Sequence, residues 1–174
     1  MRILGVDPGS RVTGYGIVDA DRQQLRCVAA GVIQPPRVEP AARLGHIHTA
    51  LTALILEHRP TVLAIERVFI AKNAASALML GQARGVILAC AGTADMAVSE
   101  YSASQIKQGV VGNGRARKEQ VQHMVGILLA MDLSAHEHDT TDALAAAICH
   151  AHGHRVAAQT GLPAGARWSR ARRR

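Results

Sequence analysis

Residues 3–18 read ILGVDPGSRVTGYGIV, and this stretch decides the fold. A short apolar run over 2–6 ends at the turn DPG (7–9), and a second run over 13–18 contains two glycines that leave one face bare. Apolar runs of this length between turn residues predict β-strands joined by short connections. A further run over 25–33 follows the turn at 19–21 and predicts the third strand of an antiparallel meander.

The rest of the chain alternates helical and extended patterns. After a proline-containing loop, apolar side chains at helical spacing predict a helix that ends before Pro60. Its apolar positions are Leu44, Ile47, Leu51, Leu54 and Ile55. Strands are predicted over 61–65 and 97–101, and helices over 73–91 (Asn73 as N-cap), 115–130 and 139–154. This order predicts an α/β fold, a mixed five-stranded sheet flanked by helices, which is typical of the ribonuclease H-like arrangement; other α/β folds stay open.

Size and composition predict one soluble domain over 1–155. The chain has 174 residues, 48% of them hydrophobic, which is enough for an ordinary core. The N-terminus has few apolar residues before its first charge, and no apolar run approaches the length of a membrane span, so we expect a cytoplasmic protein that does not enter a membrane. Three cysteines in apolar stretches favour buried, reduced thiols.

The positive charge is concentrated at one end. Five arginines lie in the last eight positions, so about +2 of the net charge of +7 remains on the rest of the chain. Residues 156–174 lack apolar periodicity and are predicted to form a basic, disordered tail that attracts phosphates. A tail that only increases solubility is the alternative.

Four acidic residues occupy positions where they can meet. Asp7 and Glu66 end two apolar strands, and Asp139 and Asp142 stand three apart at the start of a helix, on one face. Each has a purely structural alternative: a turn aspartate, an edge glutamate and a capping box. Together, and among only 13 acidic residues, they indicate a metal site, because phosphodiester hydrolysis uses divalent cations held by carboxylates.

Five ordered motifs resemble the RuvC family of Holliday-junction resolvases, and they span most of residues 2–154. They are ILGVDPGSRVTGYGIV, AIERVF, AKNAASALMLGQARGV, IKQGVVGNGRARKEQVQHMV and DTTDALAAAICH. The resemblance implies a ribonuclease H-like homodimer that nicks two opposing strands of four-way junction DNA symmetrically in recombination and repair, leaving 5′-phosphate and 3′-hydroxyl ends. It also implies work alongside the branch-migration complex of RuvA and RuvB.

The same resemblance assigns the cofactor and the catalytic residues. It implies two Mg²⁺ per active site, with Mn²⁺ as a substitute, held by Asp7, Glu66, Asp139 and Asp142. Some relatives carry a histidine at the position of Asp139, which makes that residue the least certain obligate ligand.

Several basic residues are candidates for DNA contact. Lys107 and Lys118 resemble the active-site lysines of the family, and Lys118 follows a glycine-rich loop beside Arg115 and Arg117. Helix N-termini and lysines both favour phosphate oxygens. The alternative for Lys107 and the two arginines is an ordinary solvated surface.

The loops after the first and fourth strands supply further candidates. Phe69, the only phenylalanine, follows Glu66 by three residues; it caps the core or, as the resemblance implies, forms a wedge that stacks on bases at the junction centre. Ser10 and Arg11 are candidate phosphate contacts.

Two remaining patterns invite an assignment. The nine histidines lack the spacing of a transition-metal site and are predicted to be solvated, although His138 adjoins Asp139 and could assist proton transfer. Ala77, Gly81 and Gly85 form a smooth helical strip that predicts either a dimer interface or close packing on the chain's own sheet.

Other classes of protein share parts of the pattern. Actin-like ATPases and sugar kinases use a similar strand, Asp-x-Gly, strand loop, but they need a second lobe that this length leaves no room for, and no GxxxxGK[ST] motif occurs. A small nuclease of ribosomal RNA precursors shares the opening strands, and a non-catalytic junction-binding dimer is a third alternative. The set of four acids favours the nuclease, since bare carboxylates facing a polyanion weaken binding unless metals occupy them.

Overall fold

The computed structural model describes residues 1–9, 11–21, 24–67, 74–134 and 137–160. Five strands and five helices lie in these ranges. They are, in chain order, β1 Arg2–Asp7, β2 Thr13–Ala20, β3 Leu25–Ile33, α1 Pro40–His58, β4 Val62–Glu66, α2 Ala74–Thr93, β5 Ala97–Tyr101, α3 Ala103–Val111, α4 Lys118–Leu129 and α5 His138–Thr160.

The strands form one mixed sheet in the order β3-β2-β1-β4-β5. The first three strands are antiparallel neighbours, as their short connections predict, whereas β4 is parallel to β1 and β5 is parallel to β4. Parallel neighbours require crossover connections, and α1 and α2 supply them. The predicted mixed five-stranded α/β sheet is therefore confirmed.

Alternate strand side chains build a separate core on each face of the sheet. On one face, Leu4, Val6, Leu63 and Ile65 pack with buried residues of α1 and α2. On the other face, Ile3, Val18 and Ala64 pack with α3, α4 and α5. Helix α5 is buried at every position from 143 to 151, so it lies at the centre of this second layer.

Glycines in the central strands allow α5 to lie directly on the sheet. A Cβ built on Gly5 would lie 2.0 Å from the carbonyl oxygen of Ala143, and one built on Gly16 would lie 2.6 Å from Cδ2 of Leu144. Gly5 is required because its Cβ would meet backbone, whereas a Cβ at Gly16 would force the buried Leu144 side chain to move. The bare face predicted for the second strand is thus the surface that α5 covers.

Helix α3 is missing from the predicted elements, although its start carries a recognisable signal. The Ser102 side chain accepts a hydrogen bond from the backbone N–H of Gln105, and the Gln105 side chain accepts one from the backbone N–H of Ser102. This is a capping box. The glycines that follow this start resemble a loop in the sequence, which is why the helix was not predicted. Helix α4 begins at Lys118, three residues later than its predicted start at 115.

Helix α5 continues to Thr160, six residues beyond its predicted end. The predicted domain boundary after residue 155 therefore falls inside a helix, because alanine-rich residues extend it. Residues 161–174, including the five terminal arginines, lie outside the described residues, and the basic tail stays a prediction.

Helix α2 buries only one of its faces. Ala83, Ile87, Cys90 and Ala91 face the core, whereas Leu78 is 65% exposed. The helix is also apolar and long enough, by length and composition alone, to cross a membrane, with only 22% of that window buried. The prediction that no segment reaches this length was wrong, because scattered polar residues interrupt the run without lowering its mean hydropathy below 1.4.

The two glycines of the predicted strip lie on the open side of α2. Gly81 and Gly85 are exposed, and a Cβ built on either one would meet no atom within 4 Å. Close packing of this strip on the chain's own sheet is therefore wrong, and the dimer interface stays a prediction.

Candidate active site

Asp7 and Glu66 lie at the ends of neighbouring parallel strands and point to the same side of the sheet. Gly5 pairs with Ala64 across β1 and β4. Because side chains alternate along a strand, Asp7 shares the face of Gly5, and Glu66 shares that of Ala64. Ala64 packs in the core beneath α5, so both carboxylates project toward the layer of α3, α4 and α5.

The start of α5 brings two further acids to this place. Gly14 pairs with Asp7, and a Cβ built on Gly14 would lie 1.9 Å from the carbonyl oxygen of Asp139. The first turn of α5 therefore lies against β2 directly beside Asp7. Asp142 follows one turn later on the same side of the helix. Helix α5 begins at His138, so Asp139 stands within its first turn rather than before it.

The acids influence one another electrostatically. Burial, followed by the charges of Asp142, Glu66 and Asp139 in that order, raises the pKa of Asp7 to about 7. Burial also raises the pKa of Glu66, with Asp142 as the next cause. Negative charges held together at the edge of a buried sheet favour a bound cation.

Two lysines border the acids. Lys118 is the first residue of α4, and its Nζ donates to Oδ2 of Asp142 at 3.2 Å, which raises the pKa of the lysine. Lys107 is half-buried on α3, and its charge lowers the pKa of Glu66. The structure therefore brings both predicted lysines to the predicted acids.

The remaining predicted DNA contacts divide into two groups. Arg11, Arg115 and Arg117 are exposed, and within the described ranges no ion pair joins them to an acidic side chain. Ser10 and Phe69 lie outside the described residues. The three arginines are therefore exposed to solvent and do not form ion pairs with the acidic cluster in the described ranges.

The donor set fits a hard divalent cation. Four carboxylates offer oxygen ligands, which Mg²⁺ and Mn²⁺ favour. Among the residues that the structure describes, no three acidic, histidine or cysteine side chains converge as tightly as a finished ligand shell requires. The four carboxylates come from the ends of β1 and β4 and from the start of α5, which lies beside Asp7.

The hydrogen bonds of Arg84 were not predicted from the sequence. Arg84 is the only charged residue of α2, and its guanidinium donates to the carbonyl oxygen of Glu66 at 2.7 Å and to the carboxylate of Glu100. A lone charge on an apolar helix signals a buried partner. One of its two partners is a main-chain oxygen, which no sequence pattern identifies.

Gln108 was also missed. Its side chain donates to the carbonyl oxygen of Gly112 at 2.8 Å and accepts from the N–H of Gly114 at 3.0 Å, which fixes the glycine-rich loop before Lys118.

The histidine prediction was partly wrong. His150 is buried, and its Nδ1 lies 2.8 Å from the Tyr101 hydroxyl. Burial lowers the pKa of His150 to about 4, so it stays neutral. His152 is half-buried, with Nδ1 2.8 Å from the carbonyl oxygen of Gly109, whereas His138 is exposed beside the acids as expected.

This sheet, with acids at the ends of its two central strands and at the start of the helix that crosses them, defines a nuclease of the ribonuclease H-like class. The family model described as crossover junction endodeoxyribonuclease RuvC matches residues 3–150. The chain therefore belongs to the RuvC family.

Individual relatives agree with this assignment. The RuvC of Halorhodospira halophila is 52% identical over 167 residues, covering 95% of this chain and 98% of the relative. The Thermus thermophilus RuvC structure matches with a TM-score of 0.81 and 29% identity, covering 90% of this chain and 96% of that one. The same protein in complex with a Holliday junction substrate matches with a TM-score of 0.81 and 28% identity, covering 93% and 98%.

Proposed function

We propose that this chain resolves four-way DNA junctions in recombination and repair by nicking two opposing strands symmetrically, leaving ligatable 5′-phosphate and 3′-hydroxyl ends. The observation that carries this proposal is the gathering of Asp7, Glu66, Asp139 and Asp142 around one space. The solved complex of Thermus thermophilus RuvC with a Holliday junction substrate supports the choice of substrate.

The four carboxylates are proposed to hold two Mg²⁺, with Mn²⁺ as a substitute. Bound cations of this kind supply an activated water and neutralise charge on the scissile phosphate. Asp7 would be one of the ligands, because its strand lies between β4, which ends at Glu66, and β2, against which the first turn of α5 lies.

Basic residues around the acids are proposed to position the DNA. Lys118 holds Asp142 by an ion pair and leaves two thirds of its side chain exposed, so its ammonium can also meet a phosphate oxygen. Lys107 would act beside Glu66. The exposed Arg11, Arg115 and Arg117 would bind backbone phosphates on either side, which contributes affinity without sequence preference.

Two residues outside the described ranges keep their proposed roles. Phe69 follows Glu66 by three positions and would stack on a base at the junction centre, which is worth about 1–3 kcal/mol. Ser10 would contact a phosphate beside Asp7.

The open face of α2 is proposed to bind a second copy of the chain. A symmetric junction requires two active sites related by a two-fold axis. The exposed apolar strip of Leu78, Gly81 and Gly85 could pack against the same strip of a second copy across such an axis. The opposite side of α2 is packed on the sheet, which supports a subunit contact rather than a membrane span.

Sedimentation of two variants tests this interface. Leu78→Asp should be a monomer, whereas Leu56→Asp, at a leucine that is 70% exposed on α1, should remain a dimer. A Leu78→Asp variant that remains a dimer contradicts the interface.

Membership of the RuvC family also supports a branch-migration complex of RuvA and RuvB as partner and the cytoplasm as the location.

Replacement of the acids tests the proposal. Asp7→Asn, Glu66→Gln, Asp139→Asn and Asp142→Asn should each abolish junction cleavage while binding persists. Asp19→Asn, at an acid paired with Arg2 at the far end of the sheet, should still cut. Cleavage by Asp7→Asn, or loss of binding in all four variants, would show that these residues are not the metal ligands. Binding without any cutting by the unmodified protein would favour a non-catalytic junction binder.

A further inference from the structure

Arg84 is a charged residue in an otherwise uncharged helix. It stands in the middle of α2, and its side chain is only 15% exposed. A guanidinium in such a position is unfavourable unless its N–H groups are bonded. Its partners therefore explain why this helix carries a charge at all.

Those partners lie at the ends of two strands. One terminal nitrogen of Arg84 donates to the carbonyl oxygen of Glu66 at 2.7 Å, and the other donates to the carboxylate of Glu100. The second oxygen of Glu100 lies 3.7 Å from Nε of Arg67. One side chain of α2 thus fixes the end of β4 to the end of β5.

The bond reaches Glu66 from the side opposite to its carboxylate. Val98 and Glu100 share one face of β5, and Ser99 and Tyr101 share the other. Glu66 pairs with Tyr101 and points its carboxylate toward α5, whereas Arg84 approaches from the α2 side. The charges that shift the pKa of Glu66 belong to Asp142, Lys118 and Lys107.

We propose that Arg84 is a positioning residue for Glu66. By holding the Glu66 carbonyl at the last residue of β4, it fixes the main-chain orientation from which the carboxylate reaches the metal. The residue after Glu66 is fixed to β5, since the backbone N–H of Arg67 donates to the carbonyl oxygen of Tyr101 at 2.7 Å. This inference rests on the proposed function, in which Glu66 is a metal ligand.

A matched control exists at the other end of the sheet. Arg2 donates to the carbonyl oxygen of His58 at 2.7 Å and to the carboxylate of Asp19 at 2.8 Å, which is the same pair of bonds in a different place. Arg2→Gln should cost similar stability without altering metal binding.

The test compares Arg84→Gln, Arg84→Lys and Arg2→Gln with the unmodified protein. Calorimetric titration of the DNA-free protein with Mn²⁺ measures metal affinity, and junction binding in EDTA and thermal melting report on the rest of the fold. Arg84→Gln should weaken Mn²⁺ binding by about 10- to 100-fold, the effect usual for residues that orient metal ligands. The Mg²⁺ concentration for half-maximal cleavage should rise in parallel, with junction binding unchanged.

Arg84→Lys keeps the charge but has one nitrogen in place of the two terminal nitrogens that reach the two acceptors separately, so its metal affinity should fall between those of the unmodified protein and Arg84→Gln. Unchanged Mn²⁺ affinity in a folded Arg84→Gln or Arg84→Lys variant overturns the proposal, as does an equal loss in Arg2→Gln. If the unmodified protein neither binds Mn²⁺ nor cuts junctions, the proposed function itself fails.

Discussion

Replacing Asp7 by asparagine should make the metal-free protein more stable while removing its activity. Burial and three neighbouring acids raise the pKa of Asp7 from 3.8 to about 7. Between these values the folded protein holds a proton that the unfolded chain has released. The stability of the metal-free protein therefore falls as the pH rises from about 4 to 7, and it stays low above that range.

The size of the effect follows from the shift. Roughly three pKa units at about 1.4 kcal/mol each give an upper bound of about 4 kcal/mol. Water and salt reduce this value, so we expect Asp7→Asn to gain about 2–4 kcal/mol above pH 7. For a protein of this length, that corresponds to a rise in Tm of roughly 5–15 °C.

Thermal melting in EDTA across pH 4–9 measures this gain. The Tm advantage of Asp7→Asn should be absent near pH 4, grow to pH 7 and then level off, and Mg²⁺ should remove it by stabilising only the unmodified protein. Asp19→Asn is the control with the opposite sign, because Arg2 lowers the pKa of Asp19 and its loss should destabilise the fold. A Tm difference for Asp7→Asn that is absent at pH 8, or independent of pH, would refute the reasoning.

Three further results are expected. Gly14→Ala should cost about 3 kcal/mol or more, because its Cβ would lie 1.9 Å from the carbonyl oxygen of Asp139, and should abolish cleavage, whereas Gly45→Ala on α1 meets no atom and should melt at or above the normal Tm. Lys118→Met should slow nicking about 100-fold in single-turnover assays, since Asp142 loses its ion pair; a rate within twofold of normal contradicts this role. Between pH 6.5 and about 4 only the unfolded chain protonates His150, so the free energy of unfolding should fall less steeply with falling pH in His150→Gln than in the unmodified protein. Chemical denaturation that gives the same pH dependence for both proteins argues against this.

Local signals in the sequence predicted most elements of the fold. The third and fifth strands have the predicted bounds, because turn residues flank both runs. Helix α3 was missed because glycines follow its capping box, and α5 was predicted too short because Gly153 resembles a stop signal, although the helix continues through it to Thr160.

The candidate site was predictable where its residues end regular elements. Asp7 and Glu66 stand at strand ends, but their contact depends on β1 and β4 being neighbours, which is a property of the whole sheet. Arg84 bonds to a carbonyl oxygen 18 positions away and to a carboxylate 16 positions away, and His150 contacts a tyrosine 49 positions away. Such contacts depend on tertiary packing, so the periodicity of apolar residues along the sequence does not predict them.

The most direct test of the central claim is cleavage of a synthetic four-way junction and a matched linear duplex, with Mg²⁺ or with EDTA. Paired nicks at symmetric positions, only in the junction and only with metal, with ends that a ligase can seal, are the predicted result. Equal cutting of the linear duplex, or cutting that persists in EDTA, would contradict the account.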